Sequence, residues 1–346
     1  MTGAVRRGRL GFVGGQADVS AAGAVARVGR ALDGLGLGLG DLVKLAVFYA
    51  SDGSVDEQAL LEDVTAALPV RPGPALTVVS VPYLAQTGAL VEIEGVAADG
   101  ERRVVAEPGA SFADAVRSGE LVWTSAQTTT AAPGDIVRQT ELVIERLRSL
   151  AGELGAELDD AVKVNIYYVG EGTAEDWEVA ARVRGAAFRE PAAAATGIPI
   201  PRFADERVLC SMELWAMRAG DGSPLPREHV WPEGHWDWPI HLPWKHGCRC
   251  GDLVFVGGQV SLRGLGEVVD AGDLAGQTRT AVANIGKVLA GFGASLDDVV
   301  KVNAFYEDRG ERVDLTWAGG TATTGVPLPY LAYRDMVVEI EVVAAV

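Results

Sequence analysis

The chain of 346 residues predicts an α+β fold made of three tandem copies of one unit, each a small sheet carrying helices on one face. Two observations predict it. Three anchor segments recur three times in the same order, and the stretches between them carry helical periodicity. The first anchor is GRLGFVGGQ at 8–16, repeated as GELVWTSAQ at 119–127 and GDLVFVGGQ at 251–259. The second is DLVKLAVFY at 41–49, repeated as DAVKVNIYY at 160–168 and DVVKVNAFY at 298–306. The third, LVEIE at 90–94, returns as LCSME at 209–213 and VVEIE at 337–341, each a strand with a two-residue period.

A helix is predicted between the first two anchors. In copy 3, Asp273 caps it and Leu274, Ala281, Ile285, Val288 and Phe292 share one apolar face. Copy 2 has Ile136, Val143, Leu147, Leu150 and Leu154 at the same spacing. Between the second and third anchors, copy 1 has SVDE at 54–57, a capping-box pattern, followed by Leu60, Leu61, Val64 and Leu68. Copy 2 has 173–188 in that place. From the anchor lysine (Lys44, Lys163, Lys301) to the segment before the last strand (Leu76, Ala195, Thr323) is 32, 32 and 22 residues, so copy 3 is expected to have lost most of its second helix. The glycines of 34–40 follow a helix and precede a strand, the reverse of a phosphate-binding turn. The divisions read as unit 1 at 1–100, unit 2 at 101–218, a linker at 219–242 and unit 3 at 243–346.

A formal charge of −17 argues against nucleic acid or anionic membrane surfaces as partners. No apolar run reaches membrane-spanning length and the start lacks a signal-peptide core, so the expectation is a soluble cytoplasmic protein. Three cysteines are too few and too odd a number for a disulfide framework.

These anchors resemble the Rid (YjgF-like) superfamily, whose chains carry a Gly-Gln strand, an Asp-Val-Val-Lys strand and a closing Val-Glu-Ile-Glu strand. Copy 3 matches best, and the resemblance covers nearly the whole chain outside 219–242. It implies chorismate-mutase-like units that assemble as trimers, helices outward and sheets inward, with ligand clefts between neighbours. Three fused copies then imply a monomeric pseudo-trimer, with further self-association left open. A ring of heterologous contacts can be made covalent without changing its interfaces.

The family's imine and enamine deaminases place a carboxylate-holding arginine in a Pro-Ala-Arg-Thr segment. This chain has Leu76, Ala195 and Thr323 at that position. A charge-assisted bond of this kind is worth about 1.5–3 kcal/mol, so its loss weakens carboxylate binding about tenfold or more. Arg71, Arg202 and Arg334 lie near enough in sequence to compensate, against a plainer reading as solvated loop arginines. The resemblance also marks the first glutamate of the closing strand as a water-directing group. Glu92 and Glu339 keep it, whereas copy 2 has Ser211. Glu94, Glu213 and Glu341, present in every copy, read as structural partners of barrel backbone or basic residues.

All four histidines (His229, His235, His241, His246) and four tryptophans (Trp231, Trp236, Trp238, Trp244) fall at 229–246, in a proline-rich stretch expected to be neither helix nor regular strand. It reads as either a clamp between units or a functional lid. By resemblance Trp244 lines a ligand cleft, as Phe112 does in copy 2. His246, Cys248 and Cys250 alternate, which admits a zinc site, a nucleophile or acid/base pair, or buried core thiols.

The resulting expectation is an enzyme acting on an imine, enamine or related reactive carbonyl compound by hydrolysis or cyclisation, in specialised metabolism, without cofactor or metal. Its candidate catalytic residues are His246, Cys248, Glu339 and Glu92, and its candidate binding residues Trp244, Phe112, Thr323, Gly258 and Arg334. The alternative is a non-catalytic protein that binds a metabolite or a partner. An aromatic-lined pocket near Trp244 with a titratable group facing in favours the enzyme, and filled clefts favour the binder.

Overall fold

The structure, a computed structural model, describes residues 3–346. Unit 1 runs through strands Ala4–Arg7 and Leu10–Asp18, helix α1 (Ala21–Asp33), strand Leu42–Ala50, helix α2 (Glu57–Ala67) and strands Gly73–Val81 and Val91–Ala98. Unit 2 repeats this with Ala115–Ser118, Leu121–Thr124, α3 (Ile136–Glu153), Ala161–Val169, α4 (Ala174–Ala186), Ala194–Ile200 and Cys210–Met217. Unit 3 has Gly247–Cys250, Leu253–Gln259, α5 (Leu274–Ala290), Val299–Glu307, Ala322–Leu328 and Val338–Ala345, with only a 3-10 turn, Thr316–Ala318, where the other units have a second helix. None of the described helices is long and apolar enough to cross a membrane.

Local sequence explains where the helices begin. Side chains of Ser20, Asp135, Thr173 and Asp273 each accept a hydrogen bond from the backbone N–H three residues on. In α2 the cap is Asp56, which accepts from Ala59 N at 2.8 Å, and not the Ser54 of the capping-box pattern. Ser54 is held in a preceding turn, its own N–H donating to the Asp52 carboxylate at 2.9 Å. Helix α1 turns Ala21, Ala24, Val25, Val28 and Leu32 onto its sheet, and α5 does the same with Leu274, Ala281, Ile285 and Val288. The helices of units 1 and 3 each cover an apolar core of their own on the outer face of the sheet, whereas the core under α3 and α4 runs on into residues of the linker and the other two units.

Each unit contributes one six-stranded sheet, and in each the second-anchor strand runs parallel to the strand after it and antiparallel to the closing strand. Part of the linker departs from the irregular structure expected of it. Arg227–Val230 is an edge strand antiparallel to Gly247–Cys250. Phe112–Ala113 crosses a seam to pair with Gly73–Val81 of unit 1.

The inner faces of the three sheets meet in one core. Phe12, Val43, Val96, Trp123, Val162, Trp215, Cys248, Phe255 and Val300 pack there, drawn from all three units. A bulge at Val43, Val162 and Val300 shifts the register at each second-anchor strand, so that the valine and the lysine after it both reach the interior. Lys44 then pairs with Glu213 at 2.7 Å, Lys163 with Glu341 at 2.5 Å and Lys301 with Glu94 at 2.7 Å. Unit 1 thus binds unit 2, unit 2 binds unit 3 and unit 3 binds unit 1, which closes the pseudo-trimer.

The rims are equally cyclic. Gly14 and Gly257 sit at a second bulge, and a Cβ on them would fall 2.4 Å from Thr323 O and 2.6 Å from Ala195 O, the neighbour's backbone. At the third seam Ala126 N donates to Leu76 O at 2.9 Å.

Burial alone would raise the Glu341 carboxyl, but Lys163 with Thr196 and Asn165 outweighs it and holds the group below its ordinary range. Removing the cation strands that charge. Lys163→Met is expected to cost about 3–5 kcal/mol in denaturant unfolding, and Lys163→Met/Glu341→Leu to recover more than half of it. Additive losses in the double variant would refute this coupling.

Candidate functional site

The glutamate and the glycine of the rim form one structural unit in two of the three copies. A Cβ on Gly15 would lie 1.9 Å from Glu92 Oε1, and one on Gly258 would lie 1.8 Å from Glu339 Oε1. The carboxyl therefore occupies the space a larger residue would fill. Copy 2 has Ala126 in place of the glycine and Ser211 in place of the glutamate, an exchange that removes the carboxyl and puts a Cβ where the glycine left room. Glu339 is pushed up to about 8, first by desolvation and then by the charge of Glu341, while the Gly197 N–H pulls the other way. Glu92 is pushed up to about 7 by desolvation and by Glu94.

Glu339 faces a narrow cavity of about 50 Å³ between units 2 and 3. Its walls are Trp177, Ala181 and Arg184 of α4, Trp236, Trp238 and Trp244 of the linker region, Gly258, and Tyr333 with Met336 ahead of the last strand. Trp177, Ala181 and Arg184 are spaced four and three residues apart, so the helix presents them together. Arg184 is 2% exposed, its guanidinium lies 5.8 Å from the centre of the Tyr168 ring, and burial lowers it to about 10, still charged at neutral pH. Trp244 packs on Phe188 with ring centres 4.7 Å apart, and Trp236 meets Trp238 edge-on at 5.2 Å.

The linker is fastened over this cavity by a chain of hydrogen bonds. His235 Nε2–H donates to Gln259 Oε1 at 2.8 Å, Gln259 Nε2–H to His246 Nδ1 at 3.3 Å, and His246 Nε2–H to Trp236 O at 3.0 Å. That sequence needs a neutral His246. Desolvation foremost, then His235, pushes His246 down to about 3, in agreement.

The other two seams are wider. The cleft between units 1 and 3, about 570 Å³, holds Glu92, Gln16, Arg27, Tyr306, Arg312 and Thr323. Arg27 is paired with Asp18 at 2.9 Å, and Arg312 donates to Ala85 O at 2.7 Å. The cleft between units 1 and 2, about 460 Å³, holds Phe112, Ser125, Gln127 and Ser211.

The structure therefore brings Glu339, Trp244 and Gly258 together and places Glu92 and Thr323 in a second seam and Phe112 in a third. It corrects three expectations. His246 lies behind the aromatic wall, stacked on Trp238, with both ring nitrogens engaged, which suits a fastener and not a proton carrier. Cys248 is fully buried in the central core and its thiol is pushed up to about 12, chiefly by desolvation, so it offers no thiolate. Arg334 is exposed and lines none of these three clefts, and Arg71 and Arg202 donate to loop and helix carbonyls. Among the described residues no group of three His, Cys, Asp or Glu is placed to hold a metal ion.

Arg184, Trp177 and Tyr333 were missed. The signal available for Arg184 was its place seven residues after Trp177, on the same face of α4; α2 of unit 1 carries no arginine or lysine, and unit 3 has no second helix to compare. If the glycine exists to seat the carboxyl, Gly258→Ala should lower the thermal midpoint by several degrees, and Gly258→Ala/Glu339→Ser, which copies unit 2, should restore most of it. A double variant no better than the single one would contradict that account.

The Endoribonuclease L-PSP family profile matches residues 239–346. A chorismatase crystal structure shares the fold, with a TM-score of 0.61 at 16% identity, over 88% of this chain and 93% of that one. A RutC family protein from Pyrococcus horikoshii is 31% identical over 110 residues, which are 30% of this chain and 86% of that protein. The 3-aminoacrylate deaminase RutC of Acinetobacter baylyi is 33% identical over 84 residues, 24% of this chain and 65% of the deaminase. The chain spans about half, 52%, of the RutC family protein it matches in Pyrococcus abyssi. Identity at that level across most of the Pyrococcus horikoshii protein, carried on three units of the expected fold, places the chain in the RutC family of the Rid superfamily.

Proposed function

We propose that the cavity between units 2 and 3 is the working site of a small-molecule enzyme that hydrolyses an enamine or imine, with Glu339 moving the proton. The observation that carries this reading is the carboxyl of Glu339, buried at the aromatic-lined cavity, where desolvation pushes it up to about 8. Such a group is protonated at neutral pH yet close enough to it to give and take a proton, where general acid–base catalysis is most effective. An aromatic-lined pocket at Trp244 with a titratable group facing in also favours the enzyme over the binding protein. Among the relatives is a deaminase named for 3-aminoacrylate, an enamine.

In this reading Glu339 gives its proton to the carbon of the C=C–N unit that lies away from nitrogen. A C–H bond forms, the π electrons shift, and a protonated C=N bond remains. Water adds to the carbon of that C=N bond while the Glu339 carboxylate takes a proton from the water. Proton transfer to nitrogen and cleavage of the C–N bond then leave a carbonyl compound and ammonia, so that enamine and water are consumed one for one. The wall of Trp177, Trp236, Trp238 and Trp244 keeps bulk water from competing. Glu92, Thr323 and Phe112, in other seams, take no part.

The protonated acid is the working form, so turnover should fall as pH rises through about 8. Glu339→Gln should cut ammonia release from 3-aminoacrylate formed in situ about 100-fold or more over the spontaneous background. The carboxyl's pKa is raised on folding from 4.5, so its stabilising contribution is full below pH 4.5 and is lost as pH climbs through 8. Glu339→Gln should therefore flatten the drop in thermal midpoint between pH 5 and pH 9 that the unaltered protein shows. A variant that still turns over, or a flat pH profile, sinks the reading.

A further inference from the structure

We propose that Arg184 anchors a small carboxylate in this cavity, a role carried by helix α4 where the strand position at Ala195 has no cation. The inference rests on the reading of this seam as the working site and adds to it the charge of the substrate.

Arg184 has no counter-ion. Among the described residues no carboxylate lies within ion-pair distance of its guanidinium, and its Nη1 is buried without a hydrogen-bond partner. Burying an unpaired cation costs several kcal/mol. The Tyr168 ring and the last turn of α4 offset part of that, the ring through its negative face and the helix through its dipole. Neither satisfies the planar fork of N–H groups, which fits two carboxylate oxygens.

Two further cavity-lining residues carry the same deficit. Trp236 Nε1 and Tyr333 Oη are buried without partners. All three groups can donate, and they come from three separate elements, α4, the linker and the loop before the last strand. The one acidic side chain on the cavity, Glu339, is itself held protonated at neutral pH. A site whose buried donors outnumber its acceptors is matched by an anion with several lone pairs, and a carboxylate presents about four. Structural arginines elsewhere in the chain look different. Arg117 donates to four backbone carbonyls and Arg218 pairs with Asp160 at 2.7 Å.

The space sets the size. About 50 Å³ is several times the roughly 10–15 Å³ that holds one water, which admits an acid of a handful of heavy atoms. Gly185, next to Arg184, packs against Leu242 and Pro243, so the linker that roofs the cavity also fixes the end of the helix that bears the cation.

The test titrates the full chain with pyruvate and with its neutral isostere pyruvamide, read by calorimetry and by tryptophan fluorescence. Pyruvate should bind at least tenfold tighter than pyruvamide. Arg184→Met should abolish that preference while leaving the thermal midpoint unchanged or higher, because an unpaired buried charge is removed. Arg184→Lys, which keeps the charge and loses the fork, should fold and retain part of the preference. Equal binding of the two ligands, no binding of pyruvate, or a pyruvate preference that survives in Arg184→Met or is undiminished in Arg184→Lys overturns the proposal. Glu339→Gln separates it from the enzyme reading. Pyruvate preference kept with turnover also kept means that the anchor stands and the proton carrier fails; turnover lost with no pyruvate preference in any form means the reverse.

Discussion

Three lysine–glutamate pairs, buried at the centre and each joining one unit to the next, are the constraint on which the rest of this structure depends. Buried ion pairs add little net stability, since desolvation of both charges cancels most of their attraction. Their effect is on which arrangements are allowed. A chain with two units docked and the third astray breaks two of the three pairs, so that with unit 3 displaced Lys163 and Glu94 lose their partners beside the buried Trp123 and Trp215, and Lys301 and Glu341 lose theirs as well. Threefold closure is the arrangement in which every charge finds its partner, and the link from Lys301 back to Glu94 ties the C-terminal unit to the N-terminal one.

Closure by one polypeptide frees the seams from having to match. In a ring of identical chains a substitution appears at all three junctions at once. Here Gly15 with Glu92 and Gly258 with Glu339 hold the small-large pairing, while Ala126 with Ser211 has exchanged it for two residues of intermediate size. Where the acid is lost, a Cβ takes up part of the space it would have filled. Packing tolerates a swap of that kind better than either change alone, because a Cβ and a carboxyl cannot share the same space.

The repeat made the fold legible. Anchors that recur in order fix the strands, and the lysine and second glutamate present in every copy point to a shared structural duty, which the central pairs perform. What the repeat could not supply was the site, because function at one seam breaks the symmetry that makes residues comparable. Arg184 sits in a helix that unit 3 lacks, and nothing in its neighbours in sequence announces that its charge stays unpaired. His246 and Cys248 carried reactive side chains in a conspicuous segment, yet burial disarms both, lowering the imidazole's affinity for protons and raising that of the thiol. The linker's edge strand escaped notice because its four residues, Arg227–Val230, carry no apolar alternation and pair only through backbone.

The length differences between copies account for the unequal seams. Where a unit keeps its second helix, that helix walls the junction with a neighbour: α2 supplies Glu57 to the cleft between units 1 and 2, and α4 supplies Trp177 and Arg184 to the cavity between units 2 and 3. Unit 3 is ten residues shorter at this point and has a turn in place of the helix, so its junction with unit 1 is bordered by Arg312, Val313 and Leu315 and stands open at about 570 Å³. Of the two junctions that keep a helix, the linker lies over the one walled by α4. Glu92 and Glu339 occupy equivalent strand positions, yet the first meets a wide solvated cleft and the second a cavity of about 50 Å³ roofed by indoles. Both carboxyls are nonetheless almost equally buried, Glu92 5% and Glu339 7% exposed, and desolvation raises both; what the deleted helix and the linker change is the space each acid faces, not the burial of the acid itself.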